Sequence, residues 1–232
     1  MPGCCGFACR YCALIIAPQG TALVFADDTL LVFDKPADLL SVPGRGADKQ
    51  DCLSARVMQH FADARIVHRL DMATSGLLLM ARGAANQRIL SLAFANRQVE
   101  KNYEALVDAM IEPAVNPDEW QSIDLPIALD WPRRPLRIID PAQGKPSQTL
   151  WRLITHEESL CASRLLLAPV TGRSHQLRVH LAAIGHPILG DTLYAPSHVA
   201  ARSQRMLLHA TRLQLAHPVT RESLRFDSPA PF

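Results

Sequence analysis

The chain has 232 residues, of which 48% are hydrophobic and 20% charged, with a formal net charge of only +2. This allows one large domain or two small ones with a sizeable core, and it excludes a globally polybasic protein, so contacts with nucleic acid must come from local clusters of Arg and Lys. No apolar run approaches the roughly 20 residues of a membrane-spanning helix, and the N-terminus lacks a secretory signal, so we expect a cytoplasmic protein.

The first twenty residues are expected to form an unstructured extension that is unusually rich in cysteine. Thiolates at short spacing suit zinc or an iron–sulfur cluster. The usual separation into two pairs is missing, however, so an incidental tail is the alternative. The four residues concerned are Cys4, Cys5, Cys9 and Cys12.

The chain up to residue 107 alternates predicted strands with two amphipathic helices. Short apolar or alternating runs bounded by turn residues predict strands. These runs lie at residues 22–25, 29–33, 77–80 and 101–107. Apolar residues at spacings of three and four predict helices at residues 51–64 and 84–97.

The second half begins with a Pro-rich region at residues 111–146, which predicts a hairpin-and-loop insertion. A later helix is expected to start at Ser174 as its N-cap and to end at Gly185. Further strands are predicted at residues 148–154, 161–168, 206–215 and 224–226. Because strands outnumber helices and mostly follow one another as hairpins, we expect an α+β fold with a mixed, largely antiparallel sheet.

Residues 66 to 80 read IVHRLDMATSGLLLM and place Asp71 in a loop that opens onto a strand. The run at residues 77–80 is typical of a strand buried on both faces, and the Thr-Ser-Gly before it indicates a turn. Arg69 lies two residues before the carboxylate. Asp71 is therefore either half of a structural ion pair or a reactive group.

Basic residues are concentrated locally in three places, of which the weakest is the set around His209 formed by Arg202, Arg205 and Arg212. Residues 131–137 read WPRRPLR, and Lys145 follows. Because Arg pairs with phosphate and stacks on bases, this segment predicts an RNA contact, with a solvated loop as the alternative. Arg173 lies at a predicted helix N-terminus, which favours an anion such as phosphate or the Asp71 carboxylate.

Histidines and one tyrosine are further candidates. His175, His180 and His186 suggest a metal site, but spacings of five and six do not place them on one helical face. A metal-dependent hydrolase therefore stays as a minor alternative. Tyr103, in a predicted strand, is either a core residue with its hydroxyl bonded or a stacking platform for an extruded base.

Several of these segments resemble the signatures of the RluA-type RNA pseudouridine synthase family. Residues 68–76 (HRLDMATSG) resemble its catalytic signature, and residues 169–191 resemble its second long signature. Residues 101–105 (KNYEA) resemble its tyrosine motif, and residues 206–210 (MLLHA) its late strand. Order and spacing agree from about residue 21 to the C-terminus.

The resemblance implies a pseudouridine synthase fold with a single catalytic domain over residues 21–232. About twenty preceding residues are too few for the S4 RNA-binding domain that many relatives carry. The implied reaction isomerises a uridine within RNA: the C1′–N1 bond breaks, the uracil turns, and C5 is joined to C1′. By resemblance it needs no cofactor and no metal.

The resemblance also implies roles for individual residues. Asp71 is the implied catalytic carboxylate, as nucleophile or as base of a glycal route, and Arg173 is expected to pair with it. Tyr103 would stack on the flipped uracil. The implied base-flipping and pocket residues are Arg69, which would fill the vacated stack, and Leu207 or Leu208. The candidate RNA-binding residues are Arg133, Arg134, Arg137, Lys145, His175 and Arg178.

Residues 39–45, 130–135 and 144–146 resemble the short members of the family, which have dual specificity for 23S ribosomal RNA and tRNA. The implied partner is structured RNA, read by the shape of a stem-loop, and we expect a monomer. The alternative is a non-catalytic RNA-binding or RNA-folding protein on the same fold.

Overall fold

A ten-stranded mixed β-sheet organises the chain in a computed structural model that describes residues 20 to 232. The expected N-terminal extension and its cysteines lie outside the described residues, apart from Gly20. The strands are β1 (Ala22–Ala26), β2 (Leu30–Lys35), β3 (Ala64–Ile66), β4 (Ser75–Arg82), β5 (Glu100–Asp108), β6 (Gln121–Asp124), β7 (Ile127–Leu129), β8 (Arg137–Ile139), β9 (Gln148–Glu157), β10 (Ala162–Pro169), β11 (Leu208–Ala216) and β12 (Ser223–Asp227).

The order across the sheet is β1-β2-β4-β11-β5-β10-β9-β6, with β3 paired to β4 and β12 to β11. The β4–β11 pair is parallel and the other pairs are antiparallel. A separate hairpin joins β7 and β8. The predicted α+β class with a mixed, largely antiparallel sheet is confirmed.

Four short helices accompany the sheet in the described part of the chain. They are α1 (Leu53–Met58), α2 (Gly83–Ala95), α3 (Gln176–Ala183) and α4 (Ser197–Ala200). Single 3₁₀ turns cover Ala47–Lys49 and Glu158–Leu160. Between residues 20 and 232, no helix is long and apolar enough to cross a membrane.

Strand β4 lies in the middle of the hydrophobic core because its apolar run faces both ways. Leu77 and Leu79 belong to the cluster that includes Leu30 and Val32 of β2. Leu78 belongs to a second cluster on the opposite face. A strand buried on both faces reads as a continuous apolar run, as predicted here.

Gly76 fixes how closely β4 approaches β11. A Cβ at this position would lie 2.4 Å from the carbonyl oxygen of Ala210, and its φ of +108° is a conformation that L side chains rarely adopt. Only glycine fits such a close backbone contact. This contact holds the loop at residues 67–74, which precedes β4, against the start of β11.

Two local predictions were wrong. The helix predicted at residues 51–64 ends at Met58, and its last residue instead begins β3, which pairs with the end of β4. Helix α3 has His175 and not Ser174 as its N-cap, and His175 is left-handed with φ 59°. The predicted end of this helix is confirmed, since Gly185 follows the C-cap with φ 85°.

Candidate active site

A cleft of about 970 Å³ opens on the sheet where the loop before β4, strand β5 and the start of α3 meet. The loop at residues 67–74 supplies one wall, and β9 and β10 supply the far end. Side chains from all four signature segments line the cleft, among them Asp71, Lys101, Tyr103, Arg173, Arg178 and Leu208. The structure therefore brings the predicted catalytic segments together.

The loop that carries Asp71 is held by its backbone. Ser41 Oγ donates to the carbonyl oxygen of Leu70 at 2.7 Å and accepts from the Leu70 N–H at 3.1 Å. The Thr74 N–H closes a turn onto the carbonyl of Asp71 at 3.1 Å. Both backbone groups of the residue before Asp71 are thus fixed by one buried hydroxyl, which limits where the carboxylate can go.

Lys35 anchors the other side of the same loop. This buried ammonium donates to the carbonyls of Pro36, Leu39 and Met72 at 2.8 to 3.1 Å. Burial lowers the pKa of Lys35 to about 8, although the nearby carboxylates of Asp38 and Asp71 act in the opposite direction. Sequence reasoning missed both Lys35 and Ser41, since their partners are backbone atoms that only the fold brings near.

Arg178 is the cation that faces Asp71. Its Nη1 lies 3.7 Å from Asp71 Oδ2. The same guanidinium binds the buried Asp191 through Nε at 2.7 Å and Nη2 at 2.6 Å. Burial opposes the charge on Arg178, but the hydrogen bonds to Asp191 and its charge raise the pKa of Arg178 above its ordinary value. Asp191 therefore holds this cation rigidly in place.

The predicted pairing of Arg173 with Asp71 is wrong. Arg173 is exposed, and its guanidinium points to the carbonyl oxygen of Pro146 at 3.4 Å. Arg173 precedes the helix, whereas Arg178 is the third residue of α3 and is buried against the cleft. Arg178, predicted as an RNA contact, takes the place expected for Arg173.

His175 faces the other carboxylate oxygen of Asp71. Its Nε2 is 4.0 Å from Asp71 Oδ1, and its Nδ1 is 2.6 Å from the hydroxyl of Tyr194. Burial lowers the pKa of His175, and Arg178 acts in the same direction while Asp71 opposes it. Tyr194 had not been singled out in the sequence, because nothing in its neighbourhood there indicates its contact with His175.

Tyr103 and Leu208 provide apolar surface beside the carboxylate. Tyr103 packs between two core clusters on β5, directly opposite Ala210 of β11. Burial, together with the charge of Asp71, raises the pKa of its hydroxyl. Of the two leucines predicted for the pocket, Leu208 lines the cleft. Leu207 faces a different cluster, with Leu106 and Leu189, so its predicted place in the pocket is wrong.

Lys101 places a second cation in the cleft, two residues before Tyr103 on the same face of β5. Its ammonium lies beside Gly172, 3.9 Å from where a Cβ would be, and burial lowers its pKa. Neighbouring His68 is neutral, since burial and the Lys101 charge lower its pKa to about 3 while its Nε2 accepts from the Leu79 N–H. Within residues 20 to 232, Lys101 has no hydrogen-bond acceptor.

The remaining basic candidates lie at the rim of the cleft or beyond it. Arg69 is exposed at its rim, where Nη2 lies 3.3 Å from Ser174 Oγ. Beyond the rim, Arg133 binds Asp130 at 2.7 Å, and Arg134 stacks on the exposed ring of Trp131 at 3.7 Å. Arg137 and Lys145 lie in or beside the β7–β8 hairpin. Arg137 Nη1 is buried without a hydrogen-bond partner.

The histidines expected for a metal site are dispersed. His180 is bonded to Thr149 and to the Leu125 carbonyl, and His186 lies near the Asp108 carbonyl. Over the described residues, no group of three or more His, Cys, Asp or Glu side chains is arranged to hold a metal ion. The three histidines named for the hydrolase alternative are therefore not arranged together as a ligand set.

The fold and the cleft define a class of RNA-modifying enzyme. A family model described as RNA pseudouridylate synthase matches residues 29 to 183, which is more than half of the chain. The chain belongs to the RNA pseudouridylate synthase family and is an RNA pseudouridine synthase, an isomerase of uridine in RNA.

Curated relatives narrow the class further. The chain is similar to the dual-specificity RNA pseudouridine synthase RluA of Escherichia coli K12, with 42% identity over 90% of this chain and 93% of that protein. The RluA of Vibrio parahaemolyticus is 43% identical over 85% of this chain and 78% of that protein. These identities confirm the RluA-type resemblance.

Solved structures agree with the fold. Human RNA pseudouridylate synthase domain containing 1 matches with a TM-score of 0.76 and 30% identity, over 95% of this chain and 87% of that one. Human RNA pseudouridylate synthase domain containing 4 matches with a TM-score of 0.68 and 24% identity, over 90% and 88%. The likeness extends along nearly the whole chain.

Proposed function

We propose that the chain converts specific uridines in stem-loops of 23S ribosomal RNA, tRNA or both into pseudouridine, with Asp71 as the catalytic carboxylate. The observation that carries this proposal is the position of Asp71 in the cleft, 3.7 Å from Arg178 and close enough to Tyr103 to raise the pKa of its hydroxyl. Glu100 also lines the cleft, but it is exposed at the start of β5.

The substrate uridine leaves the RNA stack and enters the cleft, which costs a few kcal/mol of unstacking. Tyr103 stacks on one face of the uracil, and Leu208 closes the opposite side. Arg69, exposed at the rim, fills the space that the base leaves. The volume of about 970 Å³ exceeds what one nucleotide needs, which leaves room for its neighbours.

The isomerisation breaks the C1′–N1 bond and forms a C1′–C5 bond. Asp71 acts at the sugar or the uracil as nucleophile, or as the base of a glycal route. C5 loses its proton to solvent, and N1 gains one, so the reaction needs no oxidant. Arg178 orients the carboxylate throughout, because Asp191 prevents the guanidinium from turning away.

The RNA outside the pocket is held by cations. Lys101 is placed for a phosphate next to the target nucleotide, because a half-buried ammonium without an acceptor is costly until an anion arrives. Arg133, Arg134, Arg137 and Lys145 contact the stem or loop beyond the rim, and the exposed Arg173 contacts the RNA at the cleft. Selection then follows from the shape of the stem-loop. The enzyme acts as a monomer in the cytoplasm.

The test uses RNA with tritium at C5 of uridine, because forming the C1′–C5 bond releases this label to water. Separate reactions contain a 23S ribosomal RNA fragment, a tRNA anticodon stem-loop, or a scrambled hairpin as control. We expect release from at least one of the first two and none from the control. Binding without release would instead support a non-catalytic RNA-binding protein, and loss of release with chelator would support metal chemistry.

A further inference from the structure

We propose that His175 and Tyr194 form a positioning pair that presents a neutral imidazole N–H to Asp71. This inference rests on the proposed role of Asp71 and assigns His175 a function other than RNA binding. The His175 ring bridges two side chains. Its Nδ1 contacts the hydroxyl of Tyr194, and its Nε2 faces Asp71 Oδ1.

The hydrogen bonds at Tyr194 decide which ring nitrogen of His175 carries the proton. The backbone N–H of Arg137 donates to the Tyr194 hydroxyl oxygen at 2.9 Å. Among the described residues, the acceptor within reach of the Tyr194 O–H is His175 Nδ1, at 2.6 Å. Tyr194 therefore donates to Nδ1, and the proton of the neutral ring resides on Nε2.

The Nε2–H then faces Asp71 Oδ1 at 4.0 Å, while Arg178 faces Oδ2 at 3.7 Å. The two donors approach different oxygens of the same carboxylate and restrict its rotation. Both distances exceed a hydrogen bond, as is common before substrate closes a site. When the uridine enters, a shift of about 1 Å toward either donor completes a hydrogen bond to the carboxylate.

The backbone of His175 supports a functional role for the ring. His175 has φ 59°, a left-handed conformation that is disfavoured for a residue with a Cβ. It occupies the N-cap position of α3, yet its side chain caps no helical N–H. The ring instead lies edge-on to Tyr194, at 5.6 Å between centroids, and Arg178 stacks over the same tyrosine at 5.0 Å.

The contacts extend from the cleft to the hairpin beyond its rim. Arg137 begins β8, directly after the loop that carries Arg133 and Arg134. Its N–H orients the Tyr194 hydroxyl, which in turn fixes the His175 ring. The pair therefore joins the backbone of a predicted RNA-contact segment to the catalytic carboxylate.

The first test measures the single-turnover rate constant at saturating RNA and, separately, the Kd for RNA. His175→Gly removes the ring without adding strain, because glycine tolerates the left-handed backbone. We expect its rate constant to fall about 100-fold, the effect of a catalytic group misplaced by about 1 Å, with Kd within about threefold of wild type. His60→Gln, on the exposed surface after α1, is the control and should match wild type.

Two conservative replacements separate positioning from packing. His175→Gln can extend an amide N–H toward Asp71, whereas His175→Asn tolerates the backbone but is too short. We expect the rate constant of the Gln variant to be at least about tenfold higher than that of the Gly variant, and that of the Asn variant to be as low as that of the Gly variant. A weaker Kd with an unchanged rate constant in the Gly variant would make His175 an RNA contact and overturn the proposal.

The second test needs no substrate, so it stands even if the proposed reaction fails. Nitrogen-15 NMR of histidine-labelled protein distinguishes the two neutral tautomers, and the His175 signals are those missing from His175→Asn. We expect the proton on Nε2 in the wild type and a mixture of tautomers in Tyr194→Phe. In the separate assay with RNA, we expect the rate constant of Tyr194→Phe to be about tenfold lower than that of the wild type. A wild-type ring protonated on Nδ1 would contradict the proposed pair.

Discussion

Replacing Arg178 with Met is the sharpest test of how Asp71 is held. At about 4 Å and an effective dielectric constant of about 20, two unit charges attract by about 4 kcal/mol. Asp71 is 24% exposed, so solvent screens part of this attraction. We expect the loss of the screened attraction to raise the activation free energy by about 2.7 kcal/mol, which lowers the single-turnover rate constant about 100-fold.

The same change also leaves Asp191 as a buried carboxylate without its cation. Breaking a buried ion pair costs about 3 to 5 kcal/mol of folding stability, so the loss of activity must be separated from unfolding. The double variant Arg178→Met with Asp191→Asn removes the orphaned charge. We expect it to regain most of the stability, measured by urea unfolding, while its rate constant stays low.

Arg173→Met is the matched control, because this side chain is exposed and touches only a carbonyl at 3.4 Å. Its stability should change by less than about 0.5 kcal/mol, and its rate constant at saturating RNA should stay within about threefold of wild type. The reasoning is refuted if Arg173→Met loses the 100-fold in rate while a folded Arg178→Met keeps it.

Three further predictions concern the surroundings of the site. Lys101→Met should weaken RNA binding about tenfold and reduce the slope of log K against log salt by about 1; an unchanged slope in filter binding would exclude a phosphate contact. Gly76→Ala should cost at least about 3 kcal/mol and lower Tm by roughly 10 °C; calorimetry that shows wild-type stability would contradict the close contact with Ala210. Ser41→Ala leaves the N–H and the carbonyl of Leu70 without their hydrogen-bond partner. We therefore expect about 2 kcal/mol of destabilisation and a rate constant roughly tenfold lower. A fully active, fully stable variant would show that other contacts hold the loop.

Apolar patterning made the strands predictable. The run in β4 was continuous because both of its faces are buried, and the alternation in β5 put Tyr103, Ala105 and Val107 on one face. Strand β3 has three residues, too few to show a period, and it exists because the end of β4 needs a partner. Tertiary pairing therefore replaced the last turns of the helix predicted at residues 51–64.

The site was harder to predict than the fold, because its details depend on where one helix begins. Helix α3 begins at Gln176 after the left-handed His175, and Arg178 in its first turn faces Asp71, whereas Arg173 lies before the helix. One signal was present: Arg178 lies three residues before the apolar Leu181, a spacing that places both on one helix face, and a buried cation requires a carboxylate. Its partner, Asp191, lies thirteen residues further on, beyond the reach of any helical spacing.

The central claim is that the carboxylate of Asp71 does the covalent work. The most direct measurement is tritium release from C5-labelled RNA by Asp71→Asn under single-turnover conditions, with enzyme in excess and RNA binding confirmed by filter retention. Asn keeps the size and shape of the side chain but removes its charge. We predict a folded variant that binds RNA and releases no label above the blank. Release by that variant at a measurable fraction of the wild-type rate would contradict the assignment of Asp71.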